Sequence, residues 1–266
     1  SWAGLERAFS EAAGRERAAF FGQWVQRPGA ARIRLAAADS DGRQLSLTLE
    51  QSGEPYSLSV PLALRIHPDR LEHRRVALDG PRTTVRLPVS GLVQAVELDP
   101  DFRLWRRIDP GLLPPILREV FVAPRTALLL AEEAAGWQTA AQQLAARVLD
   151  NAPVRVPASG EAPDGAAWLI VGSPDGVARL LARLGLPPPP TELAHRGSAQ
   201  VWAGRDEGGR PYAVVSASDP AALTALQRPL PHYGRQSWLT FEGARARDKG
   251  IWPARTERLA VTQRGR

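Results

Sequence analysis

The chain has 266 residues, a formal net charge of +6, and neither cysteine nor methionine. Its length suits about two domains, its 44% of hydrophobic residues excludes wholesale disorder, and the lack of cysteine excludes disulfides and thiolate zinc sites. No apolar run reaches the roughly 18 residues a spanning helix needs. The basic charge is almost all arginine, scattered among 28 acidic residues with Lys249 the single lysine, which is not the basic and aromatic stripe of a nucleic-acid binder.

Residues 1–26 read as helix. Leu5, Ala8, Phe9 and Ala12 recur at helical spacing, Gly14 interrupts, and Phe20, Phe21, Trp24 and Val25 form a second apolar face. Arg27-Pro28-Gly29 ends the segment. Two short helices cannot bury that much aromatic surface alone, so Phe20, Phe21 and Trp24 are candidate interface residues. The Ser1-Trp2-Ala3-Gly4 start is unlike a signal peptide. Without any methionine, the chain reads as a processed or excised piece of something longer.

The period changes over 30–100. Leu45, Leu47 and Leu49 alternate, as do Tyr56, Leu58, Val60, Leu62 and Leu64, then Thr83, Val85 and Leu87, with a last strand over 92–98. Turn residues separate the runs at Asp41-Gly42, Gly53-Glu54-Pro55 and Asp79-Gly80-Pro81. Five to seven short strands with tight turns predict a small antiparallel, Ig-like β-sandwich. Residues 101–125, rich in proline and aspartate, read as a linker holding one helix within 110–120.

From 126 to 266 the rhythm is that of a layered α/β domain. Strands are expected over 126–131, 154–156, 167–171, 199–203, 212–215 and 237–241. Trp137, Ala140, Ala141, Leu144, Ala145, Val148 and Leu149 mark an amphipathic helix. Val177, Leu180, Leu181 and Leu184 mark a second, and Pro187–Pro190 a rigid spacer. Gly208-Gly209 predicts a hairpin turn, and Asp219-Pro220 a capped helix start. The fold class is thus α+β multidomain: an N-terminal helical remnant, a sandwich, and an α/β domain.

Strand ends in such domains are where ligands sit. Ser173, Ser216 and Ser218 could surround an anion with hydroxyls and backbone N–H groups, although Ser173 also suits an ordinary helix cap. Glu132-Glu133 precedes a helix, where acids meet its dipole. His67 and His73 lie in a polar turn region without metal-site spacing. The segment with His232, Tyr233, Arg235 and Trp238 around Gly234 reads as an interface, rich in the residue types that interfaces favour. A Ser237, His232, Glu242 set is too local for a triad, whose members come from separate elements.

The phrase Phe20-Phe21-Gly22-Gln23-Trp24 through Arg27-Pro28-Gly29-Ala30 resembles the end of the catalytic domain in the membrane-alanyl aminopeptidase family of zinc metallopeptidases, where a β-sandwich follows. Gln51, Tyr56, Leu58, Val60, Pro61 and Leu62 fit the sandwich phrase of that family. Leu98–Ile108 looks like its exit in some bacterial members, and Pro231–Gly243 resembles their extra C-terminal domain. The resemblance implies a zinc-dependent aminopeptidase, or an inactive relative, as the parent, and a place in the cell envelope or periplasm. The H-E-x-x-H motif, the third glutamate ligand and the G-x-M-E-N clasp have no counterpart in the sequence, so no catalytic or metal residue carries over.

The expectation is a non-enzymatic accessory region with no cofactor of its own, zinc being implied only for the missing catalytic domain. Its partners would be that domain or another protein, with no nucleic acid and no membrane span. The alternative is an α/β module that binds a small anion or a sugar.

Overall fold

A computed structural model describes residues 1–67, 69–156 and 165–264. The chain is an α+β multidomain protein that divides into two compact units: residues 1–112 with 255–266, and residues 113–254.

The first unit opens with α1 (Trp2–Ala13), capped by Ser1 and ended by Gly14 in a left-handed conformation. After α2 (Ala18–Phe21) comes one more helical turn, Gly22–Gln26. Side chains of that turn pin it to the loop after the second strand: Gln23 donates to the Ser57 carbonyl, Arg27 to that of Pro55. Six strands follow: β1 (Ile33–Ser40), β2 (Gln44–Gln51), β3 (Leu58–Ile66), β4 (Arg70–Leu78), β5 (Arg82–Pro88) and β6 (Val93–Leu98). Alternate residues of β1, β2, β3 and β6 fill one core shared by two sheets, with Leu45, Leu47, Leu49, Leu62 and Leu64 buried. This is the sandwich that period-2 patterning predicts.

Three features depart from the sequence reading. His73 belongs to β4, not to a turn. That strand is an edge strand whose run Glu72-His73-Arg74-Arg75 hides its period; only Val76 and Leu78 are buried. The second departure is at the C-terminus. β14 (Glu257–Ala260) pairs with β6, and β15 (Thr262–Gln263) with β1, so the tail completes the sandwich and is not part of the α/β domain. The sheets run β15-β1-β2-β5 and β14-β6-β3-β4. The α/β unit is therefore an insertion before the last strands of the sandwich. Its entry and exit are adjacent: the Arg255 N–H donates to the Leu112 carbonyl at 2.9 Å.

The third departure is the expected linker. Residues 101–112 belong to the first unit, and 113–125 to the second. There α3 (Arg118–Phe121) helps bury Leu117, Val120 and Phe121 in the α/β core. Proline spacing signals a loop, but these apolar residues need cover.

The second unit holds β7 (Thr126–Leu130), α4 (Ala135–Val148), β8 (Val154–Val156), β9 (Ala167–Gly172), α5 (Pro174–Arg183), β10 (Ala199–Arg205), β11 (Pro211–Ala217), α6 (Pro220–Ala225), β12 (Trp238–Glu242) and β13 (Arg245–Gly250). One sheet of order β13-β12-β10-β11-β9-β7-β8 runs through it. β7, β8, β9 and β11 are parallel; β10 and β11 form the expected antiparallel hairpin. The central strands are apolar on both faces, as strands covered on both sides must be. Ala167, Leu169 and Val171 of β9 face α3, α4 and α6, whereas Trp168 and Ile170 face α5. β13, with the polar sequence Arg-Ala-Arg-Asp-Lys-Gly, was invisible to hydrophobic patterning because it is an edge strand.

Candidate functional site

The parallel strands aim their carboxyl ends at Glu132, Ser173 and Ser218. Chain order reverses between β7 and β9, where open α/β sheets usually leave a ligand crevice. Here the crevice is filled from within. Ser173 caps α5, its hydroxyl accepting from the Gly176 N–H at 3.1 Å, and donates to the Glu132 carboxylate. A Cβ on Gly176 would collide with that carboxylate, and one on Gly172 with Ala131. Glu132 thus occupies the anion position at the α5 N-terminus, where the helix dipole favours negative charge. The dipole it meets is that of α5; α4 begins three residues later without a side-chain cap.

The three serines therefore part company. Ser173 belongs to the cap. Ser216 and Ser218 line a cavity of about 430 Å³ on the α5 face of the sheet, walled by the first turn of α5 and the loop 189–198. This volume lies within the range of about 300–1,000 Å³ usual for small-molecule pockets. Its floor is built by register: Gln200 of β10 lies directly opposite Ser216 of β11, and Trp202 follows two residues on, facing the same side. Ser216 is 4% exposed and Gln200 9%. Asp175 and His195 stand at the rim. His195 has a φ of 58°, a left-handed conformation uncommon for a residue with a side chain.

Gln200 and Trp202 escaped the sequence reading. The available signal was a glutamine in the apolar run Ala-Gln-Val-Trp-Ala and a serine in Val-Val-Ser-Ala. A polar residue inside a doubly covered strand must find a partner or a cavity.

Nearby, Asp219 caps α6, accepting from the Ala222 N–H at 2.8 Å, while the Ser218 hydroxyl donates to it. These bonds, the backbone one first, hold its carboxyl below the ordinary 3.8. At the opposite end of the sheet, burial and then the charge of Asp206 push the Tyr212 hydroxyl above its ordinary 10.0.

The structure divides the candidate interface residues. Phe21 is buried, packed edge-on against Phe9 and Phe20 at ring distances of 6.0 and 5.8 Å. Trp24 stacks on Tyr56 at 5.4 Å. Phe20 is exposed. In the second segment, Tyr233 meets Phe241 edge-on at 6.0 Å and Trp238 packs on Trp252 at 6.0 Å, so both serve the core of their own unit. His232 and Arg235 are exposed. Ser237 is wholly buried and its hydroxyl has no partner among the described residues, a poor position for meeting a substrate. Among the described residues no group of three or more His, Asp or Glu side chains is placed to hold a metal ion.

Fold and cavity define a two-unit α+β chain, a sandwich carrying an inserted α/β unit. No family model matches it, and no curated protein does. Among solved structures it is similar to Cwp6 from Clostridium difficile, at 9% identity and a TM-score of 0.23, over 77% of this chain. The chain spans 40% of the length of that structure. A likeness of this degree assigns neither fold nor activity.

Proposed function

We propose that the chain is a non-catalytic accessory region that docks through its N-terminal helices onto the catalytic body of a zinc aminopeptidase-like parent. One observation supports this above others. No residue of α1 is buried, yet Trp2 is 63% exposed, Phe9 60% and Phe20 54%, with Leu5 beside them. Trp2, Leu5 and Phe9 share one face at helical spacing. A contiguous apolar face of this kind marks a protein contact. The resemblance of the Phe20–Ala30 phrase to the end of a catalytic domain names the body it would meet.

The test supplies a zinc aminopeptidase catalytic body as a separate polypeptide and measures association by calorimetry. Each buried aromatic contributes about 1.5–3 kcal/mol. Trp2→Ser with Phe9→Ser should therefore weaken association at least about a hundredfold and reduce binding of a hydrophobic dye to the free chain. A wild-type chain that binds neither dye nor catalytic body would overturn the proposal.

The alternative reading, a ligand-binding α/β unit, is supported by the cavity over Gln200 and Ser216.

A further inference from the structure

We propose that the cavity on the α5 face binds a neutral, hydroxyl-rich ring, a mono- or disaccharide, and not an anion. This deepens the alternative reading and stands apart from docking, because every lining residue belongs to the second unit.

The hydrogen-bonding capacity at the floor is the first argument. Gln200 donates both bonds of its amide nitrogen to the chain, to the Arg196 carbonyl at 3.0 Å and the Gly197 carbonyl at 3.3 Å. Those bonds orient the amide and leave Oε1 as a fixed acceptor. The Ser216 hydroxyl, opposite Gln200, makes no side-chain hydrogen bond among the described residues. Ser218 gives its proton to Asp219 at 3.1 Å, so its oxygen can still accept. Asp175 adds a carboxylate at the rim. The free capacity is mainly that of acceptors, on Gln200 and Ser216 at the floor and on the exposed Ser218 and Asp175 above it. The complementary ligand brings donors.

Charge narrows the class. The lining contains neither arginine nor lysine, and its one carboxylate, Asp175, repels anions. Phosphate or carboxylate ligands would meet no permanent counter-charge, His195 at the exposed rim being the one lining side chain able to take up a proton, and burying an unpaired anion is costly. Trp202, Leu193 and the prolines Pro174, Pro189 and Pro190 supply apolar walls. A sugar ring offers hydroxyl donors around its edge and C–H groups on its faces, and so matches both surfaces. A small ammonium ion would use the carboxylate but waste these walls.

The wall is also held in a costly shape. His195 at the rim adopts a left-handed conformation, with φ 58°. Gly197, with φ 73°, sits where a side chain would strike the Phe241 carbonyl. Gly197 takes this conformation without steric cost; His195 does not, and such residues gather at ligand sites, although the strain by itself names no ligand.

The whole chain is titrated with glucose, galactose, N-acetylglucosamine and maltose, and in parallel with sodium phosphate and ammonium chloride. Tryptophan fluorescence and saturation-transfer NMR give the readouts. At least one sugar is expected to bind saturably and the two salts not at all. Ser216→Ala should weaken that sugar about tenfold, the worth of one buried hydrogen bond, and Gln200→Leu, which removes the Oε1 acceptor, should weaken it too. Thr224→Ala on α6 and the α1 variants Trp2→Ser and Phe9→Ser should leave it unchanged, which separates this site from the docking face. Unchanged melting of each variant without sugar shows that it folds. Binding of phosphate or ammonium instead, no binding by any of the four sugars, or sugar binding indifferent to both Ser216→Ala and Gln200→Leu would overturn the proposal.

Discussion

Asp99 is the most committed single residue of the sandwich. Its carboxylate is wholly buried and receives the Arg103 N–H at 2.8 Å, the Leu104 N–H, and Arg106 Nε at 3.1 Å. Its φ of 47° turns the chain into the corner. The guanidinium of Arg106 is as buried as its partner, and its Nη2 has no partner among the described residues. Removing Asp99 leaves the buried Arg106 charge with only the Glu257 carboxylate, 4.0 Å from Nη1, and breaking a buried pair in this way costs about 3–5 kcal/mol. Asp99→Ala should therefore lower the urea-unfolding free energy of the sandwich by about that amount. A loss under about 1 kcal/mol, the scale of an exposed pair, would contradict the buried-pair account. The Asp-Pro-Asp sequence signals a turn here. That the first of these aspartates is the interior one became visible only with Arg106 folded over it.

At the scale of elements, the α/β helices begin where their sequences direct. Ser173 and Asp219 are caps, and Pro174 and Pro220 take first helical positions. The Asp219 carboxyl titrates below 3.8 in the folded chain and near 3.9 in an unfolded one. Its stabilising contribution is thus fully present above about pH 3.9 and disappears as pH falls through the lower folded value. Carbon-13 NMR should find its midpoint below 3.8; a midpoint at or above that value would remove the cap's pH dependence. Amphipathic elements were legible because one face must be dry. Edge strands β4 and β13 were not, since half of their pairing surface meets solvent and their sequences read as loop.

At the scale of the molecule, the chain leaves the sandwich after residue 112 and returns at 255, through neighbouring backbone groups. Insertions between close ends are tolerated because they leave the host core intact. Replacing 113–254 by a short Gly/Ser loop should leave a sandwich that melts cooperatively, with β-type circular dichroism. Deleting 255–264 should be far more damaging. It removes one of the two partners of β6, leaving β3, and the Glu257 carboxylate that accepts the Leu35 N–H at 2.8 Å. If the truncated chain melts as the intact one does, the tail is not part of the sandwich core.

Periodicity and turn chemistry determined which segments of this chain become helices and which become buried strands, and they located the two kinds of core. Those are local properties, settled by which face of each segment must avoid water. The tertiary structure alone decided that the tail rejoins the first unit. It alone decided that Glu132 fills the expected anion site and that Gln200 and Ser216 meet across one register. Each of these depends on residues distant in sequence coming together, and no single segment encodes the position of its partner.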